Sequence, residues 1–227
     1  MRIAEIYRSV QGEGLLTGTD SVFVRASGCN LRCWFCDTLY ASWEPEGEDR
    51  GVAEIAESVL AYGVDHVVLT GGEPMLFAEM IPLCERLHEA GRHLTIETAG
   101  TLHLPLHCDL MSISPKLSNS TPSYLQNPRW NVRHDRARRA DEVARRLMAE
   151  HAYQLKYVVD LPEDCDEVLE SIESLGADPD RVYLMPQGIE ASGLARIATW
   201  LAPWCARHGF RFCPRRQIEW FGATRGT

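Results

Sequence analysis

The sequence lacks the apolar segments that membrane and secreted proteins carry. No stretch approaches the roughly 18 consecutive apolar residues of a transmembrane helix. The N-terminal segment, MRIAEIYRSVQGEG, has polar or charged residues where a signal peptide needs a continuous apolar region. We therefore expect a soluble, cytoplasmic protein that does not bind a membrane.

Positive charge is also scarce. The 227 residues include 23 lysines and arginines against 32 aspartates and glutamates, which gives a net charge of −9. Because binding to a phosphate backbone or an anionic membrane scales with the number of basic contacts, this balance argues against nucleic acid as a partner. A small anionic substrate held by a few arginines remains compatible with it.

No repeat, low-complexity segment or linker divides the chain, so we expect a single domain spanning residues 1–227. Apolar, β-branched segments alternate with helical patterns, which is typical of an α/β fold with parallel strands and crossover helices. The segment 116–135 is predicted to be a long loop over the mouth of the sheet, or an insertion. Strands are predicted at 21–27, 66–72, 93–100, 109–114, 153–160, 181–187 and 210–215, and helices near 53–62, 77–90, 136–150, 163–175 and 190–208.

Three of the eight cysteines are clustered, in GCNLRCWFCDT at residues 28–38. They are Cys29, Cys33 and Cys36, and the other five are isolated. Without a secretion signal, this spacing favours a metal site over disulfides. Structural zinc usually takes two separated ligand pairs, and the sequence has no second CxxC or HxxxH pair. A [4Fe–4S] cluster suits three thiolates better, because its fourth iron can bind a small molecule.

Polar or glycine-containing segments follow several predicted strands. They are TGGEP at 70–74, ETAG at 97–100, SPK at 114–116 and MPQG at 185–188. Ligands bind at the C-terminal ends of parallel strands, so we expect these segments to share one mouth of the sheet.

CNLRCWFC, with Phe35 before its last cysteine, resembles the signature of the radical S-adenosylmethionine (SAM) superfamily, and LTGGEPML at 69–76 resembles its GGEP segment. The resemblance implies an incomplete, modified TIM-type (β/α) barrel. It also implies that SAM chelates the open iron and is cleaved to a 5′-deoxyadenosyl radical, which abstracts hydrogen from a substrate. The implied SAM-binding residues are Phe35, Cys36, Asp37, Gly72, Glu73, Ser114, Pro115, Lys116 and Gln187.

A second resemblance narrows the reaction. YRSVQGEG at 7–14, together with the cysteine segment, TGGEP, IETAGT and SISPK, closely resembles the 7-carboxy-7-deazaguanine synthase family from Ile6 to about Gln187. This implies ring contraction of 6-carboxy-5,6,7,8-tetrahydropterin to 7-carboxy-7-deazaguanine with loss of ammonia, in the biosynthesis of queuosine and other 7-deazapurines. The implied substrate-binding residues are Val10, Gln11, Gly12, Arg25, Thr70 and Glu97, and Gln217 is a further candidate.

The same resemblance implies a Mg²⁺ ion bound by Thr38, a homodimer, and a flavodoxin or ferredoxin as reductant. Without it, Thr38 would be interpreted as a turn hydroxyl and Arg25 as part of a surface salt bridge. Two alternatives stay open: an activase of glycyl-radical enzymes, and a non-enzymatic iron–sulfur or zinc-binding module. QGEG and Thr38 argue against the activase. The motifs at successive strand ends argue against the module.

Overall fold

Nine strands, all in one sheet, organise the computed structural model, which describes residues 1–227. The order across the sheet is β3-β1-β2-β4-β5-β6-β7-β8-β9. The strands are β1 (Arg2–Val10), β2 (Asp20–Ala26), β3 (Glu48–Asp49), β4 (His66–Gly71), β5 (His93–Thr98), β6 (Leu110–Ile113), β7 (Tyr153–Val159), β8 (Val182–Pro186) and β9 (Arg211–Phe212).

From β2 to β9 every neighbouring pair of strands is parallel. At the other edge, β1 pairs antiparallel with both β2 and β3. No pairing joins β3 to β9, so the sheet stays open. A parallel sheet that curves without closing is the arrangement expected of an incomplete TIM-type barrel.

Eight α-helices accompany the strands, and their ends follow local chemistry. Asn127 caps α4 through its side chain and Pro128 occupies the first turn. Gly176 and Gly209, both left-handed, end α6 and α7. None of the helices is long and apolar enough to cross a membrane. The helices are α1 (Leu39–Ser42), α2 (Val52–Leu60), α3 (Met80–Glu89), α4 (Pro128–Arg138), α5 (Asp141–Glu150), α6 (Asp164–Leu175), α7 (Ala191–His208) and α8 (Arg216–Phe221).

The hydrophobic core lies between the sheet and these helices. Val67 and Leu69 of β4 pack into it with Leu83 and Leu87 of α3, and all four side chains are fully buried. Val68, between them, is equally buried but lies outside that cluster, because alternate side chains of a strand point to opposite faces. The sheet is thus covered on both faces, which explains the uninterrupted apolar run of this strand.

The structure confirms the seven predicted strands and corrects the prediction in two places. First, a strand precedes the first predicted one at 21–27: β1 includes residues 7–10 of the segment YRSVQGEG, and the turn begins at Gln11. Second, the predicted loop 116–135 is wrong in its second half, where α4 begins at Pro128. The single helix predicted at 136–150 is accordingly two helices, separated at Arg139 and Ala140.

Candidate active site

The ends of the parallel strands surround one cavity of about 350 Å³, as expected from the strand-end motifs. Two of the predicted residues, Glu73 and Pro115, do not line it. The predicted residues that do are Cys29, Cys33, Phe35, Cys36, Asp37, Thr38, Gly72, Ser114, Lys116 and Gln187 at the SAM end, and Val10, Gln11, Gly12, Arg25, Thr70, Glu97 and Gln217 at the substrate end.

Three free, partly exposed thiols line one end of the cavity: Cys29, Cys33 and Cys36. Burial raises the pKa of Cys29 to about 12 and that of Cys33 to about 11, and the charges of neighbouring thiolates add to both shifts. A bound cation reverses this penalty, because metal-ligating thiols are deprotonated. Three thiols on one side of the cavity are the donor set of an iron–sulfur cluster, whose irons are held by cysteine thiolates.

A buried histidine, His134, holds the cysteine loop in place through hydrogen bonds. Arg32 N donates to His134 Nδ1 at 3.0 Å, and His134 Nε2 pairs with Ser120 Oγ at 2.9 Å. Trp34 N donates to the Ser120 carbonyl at 3.1 Å. Burial lowers the pKa of His134 to about 4, so its ring is neutral and Nδ1 can accept. Helix α4, through His134, and the segment before it, through Ser120, thus hold the loop that carries the thiols.

The glycines of GGEP bring that segment against the cysteine loop. A Cβ on Gly72 would lie 2.2 Å from the Gly28 carbonyl oxygen and 2.4 Å from that of Ala41. Glu73 N donates to the Gly28 carbonyl at 2.8 Å. Only glycine at position 72 lets the two backbone segments come this close, so Gly72 is required for the shape of the site.

The carboxylate of Glu73, an implied SAM-binding residue, does not reach the cavity. It is fully buried and accepts hydrogen bonds from Met75 N, Thr98 Oγ1 and Ala99 N. Burial raises its pKa in spite of these donors. The side chain therefore ties the glycine segment to the end of β5.

Lys116 and Ser114 present a cation and a hydroxyl beside the cysteines. Lys116 Nζ donates to Ser114 Oγ at 2.6 Å and to its carbonyl at 2.8 Å. The lysine charge partly offsets the burial that raises the pKa of Cys33. Pro115 lies between them in the chain but outside the cavity lining, so its predicted contact with SAM gains no support from the cavity.

At the other end of the cavity, Glu97 is held at both carboxylate oxygens. Thr70 Oγ1 donates to Oε2 at 2.9 Å, and Gln11 Nε2 lies 3.4 Å from Oε1. Lys156 Nζ donates to Oε1 at 3.0 Å. Donors from β4, β7 and the turn after β1 therefore converge on one acceptor.

Arg25 is a buried cation whose guanidinium is only partly used. Its Nε donates to Glu5 Oε1 at 2.7 Å and its Nη2 to the Tyr7 hydroxyl at 2.9 Å, whereas Nη1 has no hydrogen-bond acceptor in the protein. Burial opposes its charge, but Tyr7, Tyr40 and Glu5 raise the net pKa, so it stays charged. A surface salt bridge is therefore the wrong interpretation of Arg25: its side chain is 14% exposed and lines the cavity.

A buried ionic network at this end was missed by sequence reasoning. Glu13 Oε2 accepts from Lys156 at 3.1 Å, and Glu13 Oε1 accepts from Arg215 at 3.2 Å and from Gln217 at 2.6 Å. Arg215 also pairs with Asp37, next to the last clustered cysteine. The available signal was a lysine inside the apolar strand QLKYVV, where a charge needs a buried partner.

Comparisons with known proteins agree with this geometry. The model of the radical SAM superfamily matches residues 23–147. A 7-carboxy-7-deazaguanine synthase of Rhodopirellula baltica is 47% identical over 226 residues, covering 99% of this chain and 88% of that protein. One of Halobacterium salinarum is 42% identical over 228 residues, covering 95% and 88%.

Solved structures show the same fold. The crystal structure of QueE from Escherichia coli superimposes with a TM-score of 0.67 at 21% identity, covering 95% of this chain and 93% of that one. Streptococcus suis SuiB gives 0.56 at 16% identity, covering 85% and 48%. The expected incomplete (β/α) barrel is thereby confirmed. From its sequence relatives and its cysteine-lined cavity, the chain belongs to the radical SAM superfamily and, within it, to the 7-carboxy-7-deazaguanine synthase family.

Proposed function

We propose that this protein contracts the ring of 6-carboxy-5,6,7,8-tetrahydropterin to 7-carboxy-7-deazaguanine, with loss of ammonia, in 7-deazapurine biosynthesis. One observation carries the proposal: a single cavity combines three thiols at one end with a buried arginine and a fixed carboxylate at the other. Such a cavity suits a radical source and a flat anionic substrate side by side. Neither the activase nor the binding module gains support from the comparisons.

At the first end, Cys29, Cys33 and Cys36 would hold a [4Fe–4S] cluster, which leaves one iron for SAM. When bound, the cluster and SAM supply the adenosyl radical that abstracts hydrogen from the substrate. Lys116 Nζ offers charge for the SAM carboxylate, and Ser114 offers a hydroxyl for the ribose. The remaining predicted contacts with SAM, at Phe35, Cys36, Asp37, Gly72, Pro115 and Gln187, are part of this proposal, and Glu73 is retained only for a contact through its backbone.

At the second end, Arg25 binds the substrate carboxylate through the guanidinium edge that has no protein acceptor. Glu97 accepts hydrogen bonds from the amino and ring N–H groups of the pterin. Thr70 and the backbone of Val10, Gln11 and Gly12 line the ring. These contacts orient C6 toward the thiol end of the cavity.

Magnesium is proposed to bind at Thr38, which lines the cavity at the start of α1. The only hydrogen-bond partner of Thr38 Oγ1 is Cys36 Sγ at 3.6 Å, so the hydroxyl is available. Mg²⁺ commonly takes few protein ligands and completes its shell with water and substrate oxygens. Its role would be to polarise the substrate during rearrangement.

The proposal extends to the assembly of the protein. We infer that residues 1–227 act as one domain, because all nine strands share one sheet. A homodimer and a flavodoxin or ferredoxin as reductant follow from the family resemblance. Nucleic acid is not proposed as a partner, since the net charge is −9.

An anaerobic assay tests the function. The cluster is reconstituted, then SAM, reductant, Mg²⁺ and 6-carboxy-5,6,7,8-tetrahydropterin are added, and the deazaguanine product is followed by absorbance and mass spectrometry. We expect product from the wild type and none from Cys33→Ala. SAM cleavage without product would refute the substrate assignment, and no SAM cleavage in the wild type would refute the radical mechanism.

A further inference from the structure

We propose that Lys156 is a positioning residue that fixes Glu97 as a charged acceptor for the substrate. The inference rests on the proposed function, in which Glu97 binds the N–H edge of the pterin. Lys156 does not need to touch the substrate for this role, because it acts through the carboxylate it holds.

Lys156 occupies a buried position at the cavity, where two carboxylates surround its ammonium group. The chain uses arginine almost throughout and has only two lysines, Lys116 and Lys156, and both line the cavity. The Lys156 side chain is 5% exposed, and its Nζ lies 3.0 Å from Glu97 Oε1 and 3.1 Å from Glu13 Oε2. A compact ammonium with three donors fits between two carboxylates better than a planar guanidinium does.

The two carboxylates differ in what else they bind. Glu13 has two further donors, Arg215 and Gln217, and so remains paired if the lysine is lost. Glu97 has only the neutral donors Gln11 and Thr70 besides Lys156. Lys156 is thus the one positive charge within salt-bridge distance of Glu97.

That charge decides which ligand the site selects. A carboxylate accepts hydrogen bonds only, at about four lone-pair positions, whereas a protonated carboxyl also donates. Glu97 receives three protein donors, so lone-pair capacity remains for a ligand with N–H donors. Without the ammonium no cation opposes a proton on this carboxylate, and a neutral carboxyl would turn an O–H toward the same N–H edge.

The dependence of binding on pH distinguishes this role from a merely structural one. The titratable groups that face Glu97 are Lys156 on β7, Tyr7 on β1, His66 on β4 and, across the lysine, Glu13 after β1. In the wild type the Lys156 ammonium pairs with this carboxylate at 3.0 Å. In Lys156→Met this carboxylate, whose side chain is 23% exposed, has no cation beside it, so acidification is expected to weaken substrate binding more than in the wild type.

The test measures affinity for the tetrahydropterin substrate by anaerobic calorimetry, using cluster-loaded enzyme with SAM between pH 6 and 8.5. Lys156→Met is expected to bind about 10- to 100-fold more weakly, with affinity falling further as pH is lowered. Lys156→Arg restores the charge but not the geometry, so its affinity should be intermediate and independent of pH. The matched control is Arg207→Met, an exposed cation on α7. The paramagnetic resonance signal of the SAM-bound reduced cluster should be unchanged in all variants.

Each outcome has a defined meaning. Wild-type turnover together with unchanged affinity and pH dependence in Lys156→Met would overturn the inference alone, even if the variant were less stable. A wild type that neither binds nor converts the substrate would overturn the proposed function and this inference with it. Should Lys156→Met not fold, Lys156→Gln keeps two donors without the charge and provides the same measurement.

Discussion

Replacing Glu73 with alanine tests whether this carboxylate holds the glycine segment in place. The side chain is fully buried. Its oxygens accept from Met75 N at 3.0 Å, Thr98 Oγ1 at 2.8 Å and Ala99 N at 2.9 Å. Alanine removes the acceptor and fills little of the space, so these donors lose their partner inside the protein.

The expected loss is large relative to the stability of a domain. Each buried backbone N–H left unpaired costs about 1–3 kcal/mol. The hydroxyl of Thr98 can rotate, so we count only the two N–H groups and expect about 2–6 kcal/mol in the free energy of unfolding. At roughly 2–4 °C per kcal/mol for a chain of this size, Tm should fall by at least about 4 °C.

Thermal unfolding followed by circular dichroism measures this change, with Glu85→Ala on the exposed face of α3 as control. A Tm of Glu73→Ala within about 1 °C of the control would refute the reasoning, since substitutions at the surface usually change stability by no more than about 0.5 kcal/mol.

Glu73→Gln tests how the contribution of this carboxyl group to stability depends on pH. Burial raises the pKa of Glu73 in the folded protein above its value in the unfolded chain. The contribution of this group to the free energy of unfolding is therefore fully present below the unfolded-state pKa and is lost as pH rises through the folded-state pKa. The stability difference between wild type and Glu73→Gln should therefore shrink with rising pH.

Two further changes have directions fixed by the structure. In Gly12→Ala the new Cβ would lie 2.6 Å from Gln217 N and 2.8 Å from its Cβ, so Tm should fall by the equivalent of about 1–3 kcal/mol, with weaker substrate binding. Gly193→Ala, in open space on α7, should not destabilise, and equal effects of both would contradict the steric argument. Burial lowers the pKa of His66 to about 4, below its unfolded value, so its stability contribution is lost as pH falls from about 6.5. Urea unfolding should show about 2 kcal/mol less dependence on pH between 7 and 5 in His66→Gln than in the wild type, and identical slopes would contradict a buried neutral ring.

Most of the sheet could be predicted from the sequence because its parallel strands are rich in apolar and β-branched residues and are bounded by polar or glycine-containing segments. Strand β1 could not: RIAEIYRSV has neither a continuous apolar run nor a strict alternation, only Ile3 of it is buried, and its pairing depends on β2. Helix α4 could not either, since PRWNVRHDRAR buries only His134 and shows no apolar stripe.

The sequence by itself determined the chemistry of the thiol end. The cysteine spacing, the glycine pair and Lys116 are local patterns, so a short segment specifies each of them. Only the tertiary structure decided the partners of the buried charges. It directed Glu73 away from the cavity, and it placed Lys156 between Glu13 and Glu97, which lie 143 and 59 residues away in the chain. The physical reason is that a buried charge must be compensated in space, and the groups that meet at a strand end come from strands far apart in sequence.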